Sequence, residues 1–260
     1  MKIAVVILNW NGRALLEKFL PSVVNFSKEA TVYVADNAST DDSVLLITSL
    51  FPSVKIIQNA VNGGYAKGYN DALKHLNEDI LILLNSDVEV TEHWLTPILT
   101  CFKSNPNVAA VQPKILDYKD KSYFEYAGAA GGYIDALGYP YCRGRIFNSL
   151  EKDHGQYNDT KDIFWASGAC LAIKNDVFHE VGALDEDFFA HQEEIDLCWK
   201  FRLMGKESWA IPSSVVYHKN AVTLPMFSRQ KQYLNHRNSL LMVLSNYSLP
   251  LTLYITNLVS

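Results

Sequence analysis

Asn85-Ser86-Asp87 closes an apolar run, Ile80 to Leu84, with two short polar side chains and then an acid. A buried strand that carries a carboxylate to the sheet edge puts it where α/β proteins keep their ligands. A hard oxygen donor there suits Mg²⁺ or Mn²⁺ and, through the ion, a diphosphate. Read alone, the same acid serves equally well as an N-cap or turn residue. A second acidic group, His191-Gln192-Glu193-Glu194-Ile195-Asp196, opens a helical pattern. Acids in a first turn meet the helix dipole favourably. Three carboxylates in four residues beside Phe188 and Phe189 nevertheless exceed what capping requires, and one of them can act as a general base. His218 ends the run Val215-Val216-Tyr217. A lone histidine is usually structural; the other reading is a second metal ligand.

These side chains need a frame, and the first third of the chain supplies an alternating one. Residues 3–8, 31–35, 54–59 and 80–84 read as strands, and 14–26, 43–50 and 65–75 as helices. Strands separated by helices imply an α/β fold with a mostly parallel central sheet, right-handed crossovers and flanking helices. Polar residues fall at three strand ends: Asn9-Trp10-Asn11-Gly12, Asp36-Asn37-Ala38-Ser39 and Asn85-Ser86-Asp87. Between them, Asn62-Gly63-Gly64-Tyr65-Ala66-Lys67-Gly68 is a glycine-rich turn into a helix that reaches Asn70. Such a turn lets backbone approach a ligand and sets free N–H groups near an anion. It matches neither G-x-G-x-x-G nor the P-loop, which argues against a dinucleotide oxidoreductase or a P-loop kinase.

Beyond residue 107 the pattern loosens. Residues 108–116 read as a strand, 127–145 are rich in glycine and tyrosine, and the polar stretch 147–161 is expected to be mobile. Residues 163–173 read as one strand with a small-residue kink at Ala166-Ser167-Gly168-Ala169, where a ligand can approach the backbone. A short helix over 175–181, a loop over 185–189 and a helix over 193–204 follow.

The chain has 260 residues, 48% of them hydrophobic and 20% charged, ordinary values for a globular protein. A formal net charge of −5 argues against nucleic acid as a partner. Cys101, Cys142, Cys170 and Cys198 lack metal-ligand spacing and read as reduced core thiols of a cytoplasmic protein. The opening apolar run is short enough to be a first strand rather than a secretory signal. Residues 239–260 carry no charge and follow Arg229, Lys231, His236 and Arg237. That arrangement reads either as a membrane-proximal segment, peripheral at the cytoplasmic membrane surface, or as an amphipathic or buried helix. Asn246, Ser248 and Pro250 interrupt it and argue against a clean spanning helix.

Together the ordered motifs resemble family-two inverting glycosyltransferases of the GT-A fold, over roughly residues 2–238. The set includes Asn9-Trp10-Asn11, Asp36-Asn37-Ala38-Ser39, the 62–70 glycine turn and Asn85-Ser86-Asp87. It continues with Trp165-Ala166-Ser167-Gly168-Ala169, Glu193-Glu194-Ile195-Asp196-Leu197-Cys198 and Val216-Tyr217-His218. The likeness is to the bacterial rhamnosyltransferase-like branch that builds surface polysaccharides. It implies transfer of a sugar from a nucleotide diphosphate sugar, UDP- or dTDP-linked, to a glycan or lipid-linked acceptor. It also implies roles: Asp36, with Asn9 and Asn11, at the nucleotide base, and Asn62, Gly63, Gly64, Asn70, Asn85 and Ser86 along the donor. Asp87 and His218 would hold Mg²⁺ or Mn²⁺. Glu194, with Glu193 beside it, stands at the base, and Trp165, Gly168, Ala169 and Asp196 shape the sugar and acceptor site.

Two positions depart from the family pattern. Asn85 stands where the DxD motif has its first acid, and Glu193-Glu194 replaces a Glu-Asp pair, which lengthens the proposed base by one methylene. The expected division is a nucleotide-sugar half (1–110), an acceptor and catalytic half (111–222) and a helical C-terminal segment (223–260). A non-catalytic sugar-nucleotide-binding protein and a sugar nucleotidyltransferase are the alternatives. A hydrolase is disfavoured, since no Gly-x-Ser-x-Gly elbow occurs.

Overall fold

The computed structural model describes residues 1–147, 149–219 and 229–253. In chain order β1 (Ile3–Asn9), α1 (Arg13–Phe26), β2 (Thr31–Asp36), α2 (Ser43–Leu50), β3 (Lys55–Gln58), α3 (Gly64–Leu73) and β4 (Ile80–Asn85) come first. They are followed by β5 (Val88–Val90), α4 (Leu95–Ser104) and β6 (Val108–Asp117). Four short strands come next: β7 (Gly132–Ile134), β8 (Pro140–Cys142), β9 (Arg145–Ile146) and β10 (Ser149–Leu150). After β11 (Lys161–Ile163) and β12 (Cys170–Lys174) come α5 (Asn175–Glu180), a 3₁₀ turn (Glu186–Phe188), α6 (Glu193–Leu203), β13 (Glu207–His218) and α7 (Arg229–Asn246).

Nine strands form one sheet in the order β11-β13-β6-β12-β4-β1-β2-β3, with β5 paired to β13. β1, β2, β3, β4, β6 and β13 run one way; β5, β11 and β12 run against them. β1 and β4 are apolar along their length because the sheet buries both of their faces. Alternate residues serve the two faces. Ala4, Val6, Leu81 and Leu83 pack with Tyr69 and Leu73 of α3 and Leu197 and Phe201 of α6. Val5, Ile7, Ile82 and Leu84 pack with Leu16 and Leu20 of α1 and Leu95 and Ile98 of α4. The period of two along the strands and of three to four along α1 is what places the polar strand ends together.

The expected boundary at 110/111 falls inside β6, so the two halves contribute to one sheet. The stretch 163–173 is not one strand. β11 pairs with β13, whereas β12 pairs with β4 and β6, and the chain must leave the sheet between those two places. The polar stretch expected to be mobile is built in. β10-β9-β8-β7 form a small antiparallel sheet, and Lys114 Nζ reaches Asp153 Oδ2 at 2.7 Å while Arg143 Nη1 reaches Asp159 Oδ1 at 2.8 Å. β5 and α4 lie outside the sequence reading; β5 has only three residues and α4 carries Pro97. Among the described residues no helix is long and apolar enough to cross a membrane. Residues 223–228 and 254–260 of the expected terminal segment lie outside the described residues.

Candidate active site

The sheet register gathers the polar strand ends on neighbouring strands. Leu8 pairs with Asn85 across β1 and β4, Asn9 with Asp36 across β1 and β2, and Asp36 with Gln58 across β2 and β3. Asn9 Nδ2 donates to Asp36 Oδ1 at 3.1 Å and to Ser39 Oγ at 3.2 Å, and the Ser39 N–H donates to Asp36 Oδ2 at 3.0 Å. Asn9 Oδ1 is buried and has no partner among the described residues. Asn11 braces the same turn, its Oδ1 accepting from the Thr40 N–H at 2.7 Å.

Asn37 ties that turn to the glycine turn. Its Nδ2 donates to Asn62 Oδ1 at 2.9 Å and to Gly64 O at 3.0 Å, while its Oδ1 accepts from Asn59 Nδ2 at 3.1 Å. Asn37 and Asn59 were not among the expected site residues, although Asn37 lies inside a quoted motif. Gly64 has φ +79°, and a Cβ there would sit 2.5 Å from Phe189 O. Only glycine lets α3 begin so close to the 186–192 segment, whose Phe189 O accepts the Tyr65 N–H at 2.7 Å.

Asp87 and His218 meet because of β5. After β4 the chain turns through Ser86 and Asp87, and β5 pairs antiparallel with β13, setting Val88 opposite His218. Asp87 Oδ1 stands 3.1 Å from His218 Nε2, and Asn85 Nδ2 is 3.5 Å from the same nitrogen. On the ring's other side, Glu125 Oε1 is 3.3 Å from Nδ1, an ion-pair distance without hydrogen-bond alignment. Glu125 is fully buried, and its Oε2 accepts the Ala127 N–H at 2.7 Å. Burial alone would lower the imidazole pKa; Glu125, then Asp87, outweigh it and raise it to about 10. The proton therefore stays on a ring held between two carboxylates. Glu125 was missed in the sequence because no local pattern couples it to His218.

Among the described residues no group of three or more His, Cys, Asp or Glu is arranged to hold a metal ion. Two protein donors are nevertheless what a diphosphate-bound ion asks for, since phosphate and water fill the other positions. Cis ligands of an octahedral ion, each at about 2.1 Å, lie about 3 Å apart. The 3.1 Å between Asp87 Oδ1 and His218 Nε2 fits that edge.

The two glutamates are separated by helix rotation. Glu193 is buried, and burial first, then Glu194, push its carboxyl well above the usual range, so it keeps its proton. Glu194 is half-buried, its carboxyl carbon 3.7 Å from where a Cβ on Gly168 would stand. Burial raises its pKa, while the N–H groups of Glu194 itself, Gly168 and Gln192 hold it down. Its Oε2 has no hydrogen-bond partner among the described residues. Gly168 allows this approach: a Cβ there would lie 2.7 Å from Tyr65 Oη, which donates to Gly168 O at 2.8 Å. The two groups are linked along β4. Asn85 faces His218 with its side chain and takes Ala169 O with its N–H at 3.0 Å, next to Gly168 on Glu194.

Three expected site residues have their polar groups engaged by other parts of the fold. Asp196 is fully buried on the far side of α6, bound to Lys200 Nζ at 2.7 Å and Asn246 Nδ2 at 2.6 Å. Trp165 is buried against Gly132, its indole N–H already donating to Tyr133 O at 2.8 Å. Asn70 is spent on a joint, its Nδ2 donating to Leu184 O at 2.8 Å and its Oδ1 accepting the Leu184 N–H at 3.2 Å. Trp165 and Asp196 are buried, and Asn70 is joined to the 184–186 segment.

A family model, glycosyl transferase family 2, matches residues 4–182. The chain belongs to that family. This family-2 glycosyltransferase is 27% identical over 237 residues to an N-acetylglucosaminyl-diphospho-decaprenol L-rhamnosyltransferase of Mycobacterium tuberculosis, covering 84% of this chain and 76% of the relative. It is 24% identical over 274 residues to the dTDP-rhamnosyl transferase RfbF of Shigella flexneri, covering 97% and 86%. Among solved structures, GalNAc-T7 with UDP, GalNAc and Mn²⁺ superposes with TM-score 0.69 at 17% identity, over 87% of this chain but 44% of that one. That likeness is one of fold, and it agrees with the GT-A architecture anticipated from the motifs.

Proposed function

We propose that the protein transfers one sugar, with inversion, from a UDP- or dTDP-sugar to a glycan or lipid-linked acceptor. The two rhamnosyltransferase relatives point to a deoxyhexose donor and to a lipid diphosphate or surface-glycan acceptor. The observation that carries the reading is the pairing of Asp87 and His218 at the carboxyl end of β4, linked through Asn85 and Ala169 to a glutamate with a free oxygen. Asp87 and His218 would hold Mg²⁺ or Mn²⁺, which supplies Lewis acidity to the leaving diphosphate. Asn9, Asn11, Asp36, Asn62 and the Gly63-Gly64 turn would line the nucleoside side. Glu194 would take the proton of the acceptor hydroxyl as that oxygen attacks the anomeric carbon opposite the diphosphate. One displacement needs no covalent intermediate. A lipid-linked acceptor would bring the protein to a membrane surface.

A thermal-shift screen of nucleotide sugars with Mn²⁺, followed by NMR of the product anomer, tests this. A donor that raises Tm, an inverted linkage and free nucleoside diphosphate are expected. Pyrophosphate release from a nucleoside triphosphate would assign a nucleotidyltransferase instead.

The His218 proton makes a second expectation. An ion at Nε2 must displace it, so apparent Mn²⁺ affinity should rise about tenfold per pH unit, up to the ring pKa of about 10. Calorimetric titrations between pH 6 and 8.5 check this, and a flat profile would remove His218 from the ligand set. Glu125→Gln should shallow the slope by lowering the ring pKa.

A further inference from the structure

The segment that delivers Glu194 is held in an improbable shape. Phe189 has φ 60° and ψ −59°, His191 φ 74° and Gln192 φ 72°, three left-handed non-glycine residues just ahead of α6. Such backbone persists only where its surroundings over-determine it. One side is the glycine turn already described, through Tyr65 N–H on Phe189 O. The other is α7. Asn238 is fully buried at its centre, and its Nδ2 lies 3.0, 2.8 and 2.6 Å from Phe188 O, Ala190 O and His191 O. Arg237 Nε donates to Asn238 Oδ1 at 3.0 Å, while Nη2 takes Asp187 O at 2.7 Å and Phe188 O at 2.9 Å. Gln192, the residue that caps α6, reaches back to Asn235 O at 3.2 Å and Ser239 Oγ at 2.9 Å.

We propose that Asn238 is a positioning residue for the base: by gathering three carbonyls of the 188–191 backbone it fixes the turn that aims Glu194 at the acceptor. The proposal rests on the assignment of Glu194 as the base. A carboxamide suits the task because it turns two N–H donors, one of them shared, on three carbonyls from one rigid plane, and its oxygen is taken by Arg237. Phe188 O is also taken by the Ala190 N–H at 2.6 Å and by Arg237, so Asn238 adds to a turn that its own backbone and Arg237 already brace. Loss of the clamp would let Glu194 drift while the nucleotide-binding strand ends, on the other elements, stay in place. A misplacement of about 1 Å costs on the order of a hundredfold in rate.

Asn238→Ala is therefore expected to lower kcat ten- to a hundredfold, with donor KM and Mn²⁺ affinity within twofold of wild type. Amide exchange at residues 188–194 should accelerate. Asn246→Ala, which loses the Asp196 contact on the same helix, should lower Tm without that kcat loss. In a Glu194→Gln background, Asn238→Ala should cost nothing further, because a residue acting through Glu194 has nothing left to position. If Asn238→Ala does not fold, Arg237→Lys, which loses the carbonyl contacts at 187 and 188, carries the same comparison. An unchanged kcat in a folded variant, or an additive loss in the double variant, overturns the clamp. Normal turnover by Glu194→Gln alone would instead overturn the base assignment on which it rests.

Discussion

Asp87→Ala should leave a folded protein whose Mn²⁺-dependent kcat/KM has fallen at least about a hundredfold, equivalent to about 3 kcal/mol of transition-state stabilisation. The fold should survive because the elements around Asp87 are held by main chain. Asp87 O accepts the Lys219 N–H at 3.1 Å, and β5 pairs with β13 through backbone alone. His218 keeps Glu125 as its counter-charge, so the ring is not left as an isolated buried cation. A loss of roughly 1 kcal/mol, about 2–4 °C in Tm for a chain of this size, is the expected stability cost. Mn²⁺ binding should weaken in step with activity, since one of two protein donors is gone. Full activity in Asp87→Ala, equal in metal and in chelator, would show that neither Asp87 nor an ion on it takes part.

The parts of this site that the sequence exposes are those set by local pattern. A strand buried on both faces reads as an unbroken apolar run, so the polar residue that ends it is conspicuous; Asn9, Asp36 and Asn85 are visible for that reason. Parallel pairing then aligns those ends without further information. What stays hidden depends on partners far along the chain. Glu125 serves His218 from a bridge beside β6, and β5, too short to show a period, is the strand that joins Asp87 to His218. Asp196 and Trp165 show a different limit. Residue type names a chemistry, but direction decides its use. Successive helix residues point about 100° apart, so Glu194 takes a different face of α6 from Glu193 and Asp196. Glu194 is half-buried, whereas Glu193 and Asp196 are buried and Asp196 meets Asn246 of α7.

The same geometry bears on the base proposed for this site. A carboxylate that is to accept a proton near neutral pH must be raised from its ordinary value yet remain ionised. Burial supplies the rise for Glu194, and backbone N–H groups from Gly168, Gln192 and its own residue limit it. Glu193, without such donors from neighbouring elements, is left protonated. Glu193 is pushed up further than Glu194, so the pair favours the proton on Glu193.

Glu194→Gln removes the basicity and leaves the shape, and turnover should fall by about 10²–10⁴. Donor binding should persist, because the residues proposed to line the nucleotide lie at the ends of β1, β2 and β4 and none contacts Glu194 by hydrogen bond. The acid limb of wild-type kcat/KM should lie above the ordinary carboxylate range, with activity lost as pH falls through it. That limb should vanish from the residual rate of the glutamine variant. Glu194→Asp probes reach: it withdraws the carboxylate by about 1.5 Å from the Gly168 N–H while keeping an acid. A tenfold or greater loss there would show that the glutamate length is matched to Gly168, whose missing Cβ already makes room for Tyr65 Oη. Turnover by Glu194→Gln within tenfold of wild type would move proton acceptance elsewhere. Glu193 could not inherit it without first giving up a proton that its burial favours.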